Sequence, residues 1–73
     1  HFGVPEYVKI ASNPREKAEI RRAMIEALGW FTHTHHKDLI VDLCERIVDN
    51  QLEDESIRNE ATKTLNRLQV FSK

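Results

Sequence analysis

Cysteine is almost missing from this sequence: Cys44 is the only one in 73 residues, so no disulfide can form within it. A lone free thiol suits a reducing compartment and sets a cytoplasmic expectation. Glycine and proline number two each, which leaves no Gly-rich loop to cradle a phosphate. Charge of one sign is missing as well. Eleven Lys and Arg stand against twelve Asp and Glu, a formal charge of −1, so there is no basic excess to drive binding to a phosphate backbone. No apolar run approaches the length of a membrane span. The chain is also short, and a domain of this size buries only about 60% of its unfolded surface. Modest stability is expected unless neighbouring structure helps.

What is present is helical periodicity. Ile20, Ala23, Met24, Ala27, Leu28 and Phe31 recur at the spacing of one helix face, widened by Ile25 and Trp30. So broad a stripe needs two neighbours, because one would leave apolar flank in water. The pattern returns 37 residues later, where Ile57 matches Ile20, Arg58 matches Arg21, Leu65 matches Leu28 and Leu68 matches Phe31. Carried backwards, the same offset lays Ile47 on Ile10, Val41 on Val4 and Asn50 on Asn13. A period of this length is the mark of a helical repeat array.

Taken in order, Val4–Ala11 reads as a short helix with Pro5 in its first turn. Asn13, Pro14 and Glu16 then form an Asn-led capping box, which predicts a central helix from about Pro14 to Phe31. The polar stretch 32–37 connects to a helix over 38–50, with Thr34 as its expected cap. That helix has Leu39, Leu43 and Ile47 on one face, Ile40, Cys44 and Val48 beside it, and an Asp42–Arg46 pair outside. After a polar turn, Asp54 is placed to cap the last helix. Its narrow stripe of Ile57, Ala61, Leu65 and Leu68 implies one buried face, as at the end of a stack. The fold expected is all-α, about four antiparallel helices in units of 1–12 (partial), 13–50 and 51–73. Opening on His1, the chain reads as a piece of a longer solenoid, and apolar surface at Val4, Tyr7 and Val8 is an edge for self-association.

Ile20-Arg21 followed by Ala23, Ala27-Leu28-Gly29 and Phe31, repeated as Ile57-Arg58, Ala61, Leu65 and Leu68, resembles the HEAT-repeat family. The likeness is closest to the short bacterial repeats found in phycobilisome lyases and many scaffold proteins. It implies an α-α superhelix whose Arg residues bond an acid of the adjacent repeat, giving Arg21 and Arg58 structural roles with Asp49 or Asp54 as acceptors. The chain departs from the family at Lys17, where a capping Asp is usual, and at Asn66, where Gly is usual. HEAT-like deoxyhypusine hydroxylases hold two irons with His-Glu pairs. This chain has none, and Asn59 stands where one would need histidine.

Four candidate sites remain. His33, His35 and His36, near Asp38, are the one cluster able to hold a metal, since imidazoles suit Zn, Ni or Cu; the plainer reading is a solvated loop. Cys44, on an apolar flank, reads as an inert buried thiol rather than a nucleophile. Trp30 is either core, the favoured placement, or with Tyr7 an exposed anchor for a partner. Arg15, Lys17, Arg21 and Arg22 suggest nucleic-acid binding, but Glu16 and Glu19 interleave with them. The function expected is a non-catalytic protein–protein scaffold without cofactor, the alternatives being a nucleic-acid-binding solenoid or a metal-binding module.

Overall fold

A computed structural model describes residues 3–31 and 34–68, and in them the chain is all-helical, without strands. The helices are α1 (Val4–Ala11), α2 (Ala18–Leu28), α3 (Lys37–Asp49) and α4 (Glu55–Arg67). None of these is long and apolar enough to cross a membrane. Each of α1 and α3 pairs with the helix that follows it. The two pairs then stack in the same order, α1 against α3 and α2 against α4. The offset of 37 residues superposes the pairs: Lys17 and Ala18, which begin α2, fall on Asp54 and Glu55, which begin α4.

The connecting turns repeat bond for bond. Asn13 Oδ1 accepts from Arg15 N at 3.0 Å, and Asn50 Oδ1 accepts from Leu52 N at 3.0 Å. Glu16 N donates to Asn13 O and Glu53 N to Asn50 O, both at 3.1 Å. Glu16 and Glu53 then each receive the backbone N–H of the next residue. This turn corrects the expected start of the central helix. Asn13 closes a local Asx turn instead of capping a helix at Pro14, so α2 begins at Ala18, with Lys17 as its N-cap. At the other end Trp30 N and Phe31 N donate three residues back, to Ala27 O and Leu28 O, and the helix unwinds before Phe31. In α3 the N-cap is His36, while Thr34 Oγ1 accepts from His36 N, two residues on. Asp54 Oδ1 accepts from Ser56 N at the head of α4.

Burial turns two helices away from the expected faces. α2 buries Arg21, Ile25 and Leu28; Ile20 and Ala23 are exposed, with Met24 and Ala27 half-buried. The reason is a charged residue on the inward face, which apolar periodicity cannot register. In α3 the buried set is Ile40, Leu43, Cys44 and Ile47, and Leu39 lies in solvent. Helix α4 buries Ile57, Ala61 and Leu65 together with Thr64, whose hydroxyl donates to Ile25 O at 2.7 Å. Helix α4 packs against two neighbours, α2 and α3. Val4 is buried and Tyr7 and Val8 are half-buried, so the N-terminal edge is less open than its composition suggests.

Candidate interaction surface

Arg21 is buried, 7% exposed, and each of its three guanidinium nitrogens has an acceptor. Its Nε donates to Ala11 O at 2.8 Å, one of the last carbonyls of α1, which lack a partner within their own helix. Its two terminal nitrogens reach Glu53 Oε1 at 3.1 Å and Oε2 at 2.6 Å. This paired geometry suits a planar guanidinium on a carboxylate. One side chain therefore joins α1, α2 and the turn before α4. Beside it Arg22 Nη1 donates to Ser56 Oγ at 3.1 Å. The acceptor differs from the two expected: it is Glu53, not Asp49 or Asp54, because the Asp54 carboxylate is occupied by Ser56. Hydrogen bonds from Arg21 hold the Glu53 carboxyl below the usual glutamate range, against the opposing effect of burial. The offset of 37 could have found this acid, since Glu16 and Glu53 each follow an Asn by three residues.

Arg58 occupies the register of Arg21 one unit later, and its environment is different. Its Nε is buried with no hydrogen-bond partner among the described residues. In the same unit, α3 and α4 form a groove lined by Glu45, Val48, Asp49 and Leu65.

Trp30 is 69% exposed, which overturns its favoured placement in the core. Phe31 turns inward in its place, half-buried, with its ring edge-on to Tyr7 at 5.9 Å between centroids. The Arg67 guanidinium covers one face of Trp30, 4.7 Å from the ring centroid. Gly29 makes room for that arginine: a Cβ there would lie 2.7 Å from Arg67 Nη1, while the glycine backbone itself is ordinary right-handed helix. Arg67 is the residue 37 positions after Trp30, so equivalent positions of the two units stack on one another.

The remaining candidates divide. His33 lies outside the described residues. His35 is exposed and His36 half-buried, their rings 5.0 Å apart, and no three His, Cys, Asp or Glu among the described residues are grouped to hold a metal. Cys44 is fully buried, and burial, helped by the nearby Glu45 charge, pushes its thiol up to about 12, far from the thiolate a nucleophile needs. Of the basic cluster, Arg21 and Arg22 point into polar contacts within the protein. Asp42 and Arg46 pair on the outer face of α3, which raises the arginine pKa further. Comparison with known proteins finds no matching family model, no matching curated protein and no matching solved structure.

Proposed function

We propose that this chain is a HEAT-like stack of two helical units that acts as a protein–protein docking module, without catalysis of its own. The observation that carries the reading is Trp30, held out in solvent with an arginine against its face. Trp and Arg are the side chains most enriched where partners bind tightly, and a large ring already braced on one side loses little freedom on binding. The internal repetition supports the architecture, because each helical pair leaves a face that stacking covers. Burial of the single thiol removes one route to covalent chemistry. The test is capture from the source lysate, with and without nuclease, by the protein and by its Trp30→Ala variant. Nuclease-resistant capture that Trp30→Ala loses, with the circular dichroism unchanged, supports docking through this surface. Capture that vanishes with nuclease overturns it in favour of nucleic acid.

A further inference from the structure

The two ends of the stack carry opposite halves of one clamp. Between the units the clamp is closed: Arg21 of α2 grips Glu53, and Ile57 beneath it is 1% exposed. At one outer end stands Glu16, the equivalent of Glu53, with its Oε1 bonded to Lys17 N and no guanidinium on it among the described residues. Next to it Ile20, the equivalent of Ile57, is 38% exposed. At the other outer end stands Arg58, the equivalent of Arg21, with a buried Nε that has no hydrogen-bond partner among the described residues. Acceptor and apolar ledge stand at one end, and an arginine with an unsatisfied nitrogen stands at the other.

We propose that copies of this chain stack head to tail, Arg58 of one copy closing on Glu16 of the next as Arg21 closes on Glu53 within a copy. The proposal rests on the reading of the chain as a stack of two units and uses a surface other than Trp30. On docking, the terminal nitrogens of Arg58 take the carboxylate of Glu16, as those of Arg21 take Glu53. The carbonyl in the register of Ala11 O is that of Val48, a residue lining the groove beside α4. Ile20 of the incoming copy is covered as Ile57 is. Arg58 at one end and Glu16 at the other carry opposite charges, as Arg21 and Glu53 do within a copy. The two faces are different surfaces, so the contact is heterologous and leaves free ends, giving open chains rather than a closed dimer. Thr62 stands where Ile25 stands in the internal interface, and Thr62 is exposed where Ile25 is buried. Less apolar surface is therefore available between copies than between units. Association should be weak, with Kd between about 1 μM and 1 mM, the range of modest binding free energies.

The test is sedimentation equilibrium over rising concentration for the protein, for Arg58→Glu, for Glu16→Arg and for an equimolar mixture of the two variants. The expected result is a mass that keeps growing with concentration for the unaltered protein. Each variant alone should lose association at least tenfold through like-charge contact, and the mixture should recover it, because every junction then joins opposite charges. Circular dichroism melts check folding. If Arg58→Glu does not fold, Glu16→Arg and the milder Arg58→Gln carry the same comparison. A protein that stays monomeric up to about 1 mM overturns the proposal. So does association that neither variant changes. A monomer that still captures a Trp30-dependent partner ends the stacking proposal and leaves the docking reading standing.

Discussion

The pair α1–α2 and the pair α3–α4 are two answers to one local chemistry. Their connecting turns share the same Asn and Glu hydrogen bonds, in the same order and at nearly the same lengths. Their side chains nevertheless meet different fates. Arg21 is fully engaged and Arg58 has an unpartnered nitrogen; Ile57 is covered and Ile20 is open; Trp30 lies outward under Arg67. The contrast shows that the turn is specified by residues within a few positions of one another. What a repeated side chain contributes depends on whether another unit covers it.

The largest break in this comparison should come from the arginines. Arg21→Ala would leave Glu53 half-buried without its cation and Ala11 O without its donor, a loss of about 3 kcal/mol. Arg58→Ala, at the same register, should cost under about 1 kcal/mol because it removes an unsatisfied group. Urea unfolding of both variants checks the difference, and equal losses would mean that the two clamps are equivalent after all. A similar split is expected for the isoleucines. Ile57→Ala should cost about 2–4 kcal/mol through the cavity it opens, and Ile20→Ala roughly 1 kcal/mol or less, read from the same unfolding curves.

Glu53 sharpens the comparison through pH. Its folded pKa lies below its unfolded value, so between the two the unfolded chain binds more protons. The stability it contributes is complete above the ordinary glutamate pKa of about 4.3 and is lost as pH falls through the lowered folded value. Glu53→Gln should flatten that part of the stability–pH curve measured below about pH 5. The smallest effect belongs to the stacked pair at the surface. Arg67→Ala should shift the Trp30 emission and cost about 0.5 kcal/mol. Unchanged emission would show that the arginine does not rest on the ring in solution.

Much of the helical framework was legible because it is local. Four helical segments, the Asp54 position ahead of α4, the Asp42–Arg46 spacing and the α4 stripe all follow from periodicity and from contacts within about one turn. The start of α2 was misplaced because Asn13 can serve two local motifs, a helix cap or an Asx turn, and the sequence allows both. The inward face of α2 was misplaced because its central residue is Arg21, which periodicity counts as polar. Its long stem buries well once the charged head finds acceptors. Those acceptors lie 10 and 32 residues away, beyond any local rule. Trp30 was drawn to the core by its size, whereas Phe31 took the inward direction beside Tyr7.

The sequence by itself determined an all-helical chain, its period of 37 residues and the chemistry of its turns, since each depends on spacing along the backbone. Only the tertiary structure decided which glutamate Arg21 grips, which of two equivalent isoleucines is covered, and that Trp30 faces water. Those outcomes are set by which unit lies against which. A buried charge selects its partner by three-dimensional reach, and an apolar side chain stabilises the fold only where another surface excludes water from it.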